Sequence, residues 1–101
     1  MSTPLPKDAT VVELRPDALT FRTREGLLPG TAVDLVLRLE GQPLALQAPV
    51  EGCMVAEKER GGYVFHCRLD LTALPGPDFH IIGLFISKGR GSPVLSGPGV
   101  K

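Results

Sequence analysis

The chain has 101 residues, room for one domain and not for two, and its 43% hydrophobic content is that of a globular rather than a disordered chain. Eleven basic and eleven acidic side chains cancel, and a pI near 6.7 gives no electrostatic case for binding a nucleic acid polymer or an anionic membrane. No apolar run approaches the roughly 18 residues that cross a bilayer, and the opening MSTPLPKDAT has no apolar stretch of the kind a secretory signal needs, so the expected compartment is cytoplasmic.

Residues 1–8 are polar with two prolines and are expected to form a loose arm. Residues 9–14 predict a first short strand. Pro16-Asp17 predicts a tight turn, since Pro presets φ and Asp tolerates a left-handed backbone, and residues 18–24 predict the return strand. Leu28-Pro29-Gly30-Thr31 is a second turn signal. The strongest strand signal follows: Val33, Leu35, Leu37 and Leu39 alternate with Asp34, Val36, Arg38 and Glu40, the period of a strand with one face in a core. Gly41-Gln42-Pro43 turns the chain again, and Leu44, Leu46, Ala48 and Val50 alternate in a fourth strand. Pro49 lacks an N–H and Gly52 lacks a side chain, which together predict a bulge or bend before a resumption at 53–56. Residues 57–62 predict a charged loop. Tyr63, Phe65, Cys67 and Leu69 then alternate with Val64, His66 and Arg68, so a hairpin centred on Arg60 is expected. Short links and no strand–helix–strand pattern favour an antiparallel sheet closed into a barrel.

ELRPDALTFRT followed by LLPGTAVDLVLRL resembles the opening of a PilZ domain. The family consists of small bacterial β-barrels, many of which bind cyclic di-GMP. In binding members a D-x-S-x-x-G motif precedes a short strand, a "PPG" turn and a long alternating strand. Here Glu13 falls at the Asp position, Arg15 at the Ser and Ala18 at the Gly. The upstream R-x-x-x-R arm is absent, Lys7 being the one basic residue before Glu13. The resemblance therefore implies a degenerate member in which the dinucleotide is not expected to bind. It also bears on residues 78–87, where Ile and Phe favour strand and Pro77 and Asp78 favour a helix start: PilZ domains end in a short helix, and a helix is expected here. Residues 88–101, rich in Gly, Pro and Ser, are expected to be a disordered tail.

Four constellations bear on function. Arg15, Arg22 and Arg24, with Glu13, would compose a divergent cyclic di-GMP site if one persists, because arginine pairs with phosphate and stacks on guanine. The plainer reading makes them solvated charges on outward strand faces, with Glu13 balancing Arg15. Catalysis lacks its parts: His66 and Cys67 are adjacent in a strand and point to opposite faces, His80 is isolated, and no phosphate-binding glycine loop is present. No catalytic residue, metal ligand or cofactor is expected. Cys53 and Cys67 fit neither a disulfide framework nor a zinc pattern. A hairpin centred on Arg60 sets them opposite each other, as buried reduced thiols or, alternatively, as a redox pair. Finally, the expected helix is apolar nearly all round. Phe79, Ile82 and Ile86 form one line and Ile81, Leu84 and Phe85 another. One line is expected on the barrel and the other against a protein partner or a second copy.

The sequence thus predicts an all-β domain with a short C-terminal helix, a small antiparallel PilZ-like barrel of about six strands over residues 9–87. Its expected role is regulatory and non-enzymatic, an adaptor in bacterial signalling, motility or surface functions. Cyclic di-GMP reception through a divergent site is the alternative, and an unrecognised small-ligand barrel or enzyme the third.

Overall fold

In the computed structural model, which describes residues 2–39, 42–88 and 93–96, the alternating run becomes strand β4 (Ala32–Leu39). Its Val33, Leu35, Leu37 and Leu39 are all buried. Before it, β2 (Thr10–Leu14) and β3 (Ala18–Thr23) form a hairpin closed at Pro16-Asp17. The Arg15 N–H donates to the Ala18 carbonyl at 2.8 Å, and the Ala18 N–H to the Arg15 carbonyl at 3.4 Å. A register shift between Val11 and Glu13 turns Val12 outward while Val11 and Leu14 stay against the core. The 28–31 turn has the Thr31 N–H donating to the Leu28 carbonyl at 3.2 Å, with Gly30 at φ 88°, the conformation a type II turn requires of its third residue.

The expected fourth strand, its bend and its resumption are one continuous element, β5 (Gln42–Glu59), of 18 residues. Its first part pairs with β4, Leu39↔Gln42 through Ala32↔Pro49. Its second part pairs with β6 (Gly62–Asp70), Val50↔Leu69 through Glu59↔Gly62. Pro49 sits where the partner changes, and the register slips between Val50 and Gly52. At about 3.3 Å per residue such a strand has a contour of about 60 Å, while the molecule's longest dimension is 39 Å, so β5 is bent. The predicted charged loop at 57–62 shrinks to Arg60-Gly61, with Gly61 at φ 87°. The polar residues at 57–59 stay in the ladder because one side of the sheet there faces water and carries arginines.

The strand order is β1-β4-β5-β6-β3-β2, where β1 is Ser2–Pro4, and β7 (Val94–Ser96) also pairs with β4. Two expectations are corrected here. The N-terminal arm is not loose: β1 runs parallel to Ala32–Asp34, the Leu5 N–H donates to the Asp34 carbonyl at 3.0 Å, and Leu5 is buried in the core. Nor is all of 88–101 a tail, because β7 lies antiparallel to Val36–Arg38; residues 89–92 and 97–101 lie outside the described residues. The described strands form an open path, with no ladder joining β2 to β1 or β7, although β2 lies against β7.

After β6, the Asp70 carboxylate accepts from the Thr72 N–H at 2.9 Å and caps a single 3-10 turn, Leu71–Ala73. Leu71 and Leu74 are buried, carrying the chain across the core. Pro75 then opens helix α1 (Gly76–Lys88), its carbonyl accepting from the Phe79 N–H at 3.1 Å. Pro77 lies in the first turn, where a missing N–H costs nothing. Asp78 and Lys88 sit at the ends that the helix dipole favours.

Candidate functional site

Helix α1 has one face in the core and one outside it. Ile82 is fully buried, and Phe85 and Ile86 are half-buried against the core. Phe79, Ile81 and Leu84 are 36%, 44% and 48% exposed. Ile81 and Leu84 thus stand exposed where the sequence expected a contact surface, while Phe85 of the same line is half-buried and Phe79 of the other line is partly exposed. At 100° per residue Ile82, Phe85 and Ile86 span about 100° of the helix, and this sector meets the sheet. Phe79 lies at its margin, a turn nearer the helix start. The end of β4 and the start of β5 bring Leu39, Pro43 and Leu44 alongside Ile81, Leu84 and Phe85. Between them runs an apolar groove of about 290 Å³, with Gln42 and Lys88 at its lip. This volume lies at the small end of ligand pockets and suits one or two inserted side chains.

The predicted ligand-binding set does not assemble. Arg15 stays at the β2–β3 turn, its Nε 3.0 Å from Glu13 Oε1. Arg22 and Arg24 lie toward the opposite end of β3, at least about 13 Å along the strand at 3.3 Å per residue. There Arg22 reaches across β6 to Glu57 at 2.9 Å and Glu59 at 3.6 Å, and Arg24 meets Glu59 at 3.0 Å. Shallow clefts flank this network, one reaching Arg60 and Tyr63, the other Asp8, Thr10 and Val64. Asp8 holds the second cleft together. Its carboxylate accepts from the buried Thr23 hydroxyl at 2.6 Å and from the Arg24 N–H at 2.8 Å. The Thr23 hydrogen bond, aided by Arg24, keeps its pKa below the ordinary aspartate value. Sequence reasoning missed Asp8, which sat in a presumed arm, and missed Glu57 and Glu59 as partners. Their two-residue spacing at the end of an alternating strand was the available signal. An anion entering here would meet three carboxylates.

The cysteine register holds. Cys53 lies directly opposite Cys67 on neighbouring antiparallel strands, both thiols are free, and Cys67 is buried while Cys53 is partly exposed. Burial, and secondarily the neighbouring Cys53 thiol, pushes the Cys67 pKa up to about 12. His66 is half-buried, in register with Arg22 on one side and Met54 on the other, and His80 is exposed on α1. Among the described residues no three His, Cys, Asp or Glu side chains gather as a metal site, and no helix is long and apolar enough to cross a membrane. Compared with protein-family models, with curated proteins and with solved structures, the chain matches none.

Proposed function

We propose that this chain is a PilZ-like regulatory adaptor, non-enzymatic and cytoplasmic, that acts in bacterial signalling, motility or surface functions through protein contacts made by α1. The observation that carries the reading is the outer face of α1, where Ile81 and Leu84 stand exposed beside an apolar groove that Phe85 also lines. Fully burying a side chain of this size is worth roughly 1.5–3 kcal/mol, so a helix with two of them half exposed at the groove gains by docking. The occupant is an apolar side chain or two from a protein partner, inserted between Leu44 and Leu84.

On this reading the strands are a small barrel opened between β2 and β7, which lie against each other without pairing. Loss of cyclic di-GMP binding is supported by the arginines: Arg15, Arg22 and Arg24 each hold a carboxylate within 3.0 Å.

The test substitutes Ile81→Asp and Leu84→Asp in the full chain. Folding is expected to survive, by circular dichroism and thermal melting, while partner capture or self-association falls together in both variants. Unfolding of both, or unchanged association, would overturn the reading. Calorimetric titration with cyclic di-GMP is expected to show no saturable binding at micromolar concentration. Saturable binding abolished by Arg22→Ala or Arg24→Ala would favour a receptor built on a divergent site.

A further inference from the structure

The β5–β6 hairpin carries a feature that neither the groove nor the ion pairs use. Cys53 and Cys67 are directly opposed in an antiparallel ladder. Directly opposed residues have Cα atoms about 4.5–5.5 Å apart, inside the range of about 4.4–6.8 Å over which a disulfide closes without moving the backbone. Their side chains share a face, because opposed residues in a ladder project to the same side. The two thiols differ in access. Cys67 is sealed in the core cluster, and Cys53 sits at its margin, partly exposed. A pair kept only as small hydrophobes would need neither the direct register nor the open side.

We infer that Cys53 and Cys67 form a reversible dithiol–disulfide site, in which Cys53 is the entry thiol for a low-molecular-weight disulfide and Cys67 the resolving thiol. The Cys53 thiolate attacks one sulfur of the small disulfide. That S–S bond breaks, one small thiolate leaves, and a mixed disulfide stands on Cys53. Cys67 then gives up its proton and attacks the Cys53 sulfur, displacing the second small thiolate. The protein loses two protons and two electrons, and the small disulfide gains both as two thiols. The high pKa of the buried Cys67 makes the second step the slow one, because only the thiolate attacks. The cross-link ties β5 to β6 next to the point where β5 changes partner. This inference is independent of the reading of α1.

The experiment incubates the folded wild-type protein with oxidised glutathione, then measures intact mass and peptide mapping, with circular dichroism to confirm that the fold persists. Expected is a slow loss of two hydrogens through an intrachain Cys53–Cys67 bond, reversed by dithiothreitol. Cys67→Ala is expected to stop at a glutathione adduct on Cys53, and Cys53→Ala to stay unmodified while folded. A wild-type protein that remains a dithiol, accumulates a stable Cys53 adduct, or forms only intermolecular dimers would overturn the assignment, and this readout stands even if a variant fails to fold.

Discussion

The outer surface of the sheet and the outer surface of α1 are built on opposite terms. On the sheet, Arg22, Arg24 and Arg68 are each held by a carboxylate, from Glu57, Glu59 and Glu51. These charges satisfy one another in water, where an exposed pair contributes about 0–1 kcal/mol. On α1 the outward side chains are Phe79, Ile81 and Leu84, which gain only when something covers them. A face that is already paired offers a charged ligand little, because binding must first break what is there. A face that is apolar and open gains in proportion to the exposed area that a partner covers. On the proposed reading, recognition belongs to the helix and the arginine-rich strand surface is scaffolding.

Five substitutions break or sharpen that contrast. The largest effect is expected for Ile82→Ala, which empties a fully buried position on the inner face of α1; it should lower stability by about 2–5 kcal/mol in urea denaturation, whereas Leu84→Ala on the outer face should stay within about 0.5 kcal/mol.

Next comes Asp8→Ala, which leaves the buried Thr23 hydroxyl without its acceptor and should cost about 1–3 kcal/mol. It should also change the acid limb. Because the Asp8 pKa lies below its ordinary 3.8 in the folded chain, its contribution is complete above that value and is lost as pH falls through the lowered one. Stability measured from pH 5 downward should therefore fall less steeply in the variant. Asp70, also lowered by its bond to Thr72, keeps part of the slope.

Gly83→Ala should raise stability by about 0.5–1 kcal/mol, since a Cβ there meets nothing within 4 Å. A loss of partner capture despite that gain in stability would place this spot inside the contact.

Arg22→Ala should change stability least, by less than about 1 kcal/mol, and the difference should shrink as salt is added. A loss well beyond that would mean the ion-paired face does more than the comparison allows.

The parts legible in the sequence were those whose signal is local. Alternation gave β3, β4 and β6, and turn chemistry gave Pro16-Asp17 and the Gly30 corner. A single assumption about the Arg60 turn gave the Cys53–Cys67 register. What was not legible depends on distant partners. Ser2–Pro4 and Val94–Ser96 are three-residue strands in proline- and glycine-rich surroundings, and they exist as strands because β4 offers them an edge. The unbroken course of β5 was hidden because Pro49 and Gly52 read as a break, when they mark a change of partner. The half-burial of Phe85 and the partial exposure of Phe79 have a similar origin: a helix apolar nearly all round does not state which sector will face the sheet, and packing decides it. At the candidate site, Ile81 and Leu84 could be read from spacing, while Asp8 could not, since nothing local announces that an N-terminal carboxylate will reach Thr23.

The edge of β4 away from β5 has a consequence for solubility. AVDLVLRL is the kind of long, β-branched and leucine-rich segment that, with one edge bare, templates the addition of strands from other molecules. That edge is taken by β1 over Ala32–Asp34 and by β7 over Val36–Arg38, leaving Leu35 as the single residue between the two. Two scraps of chain from opposite ends of the sequence thus act as guards, one parallel and one antiparallel, over a segment able to seed aggregation.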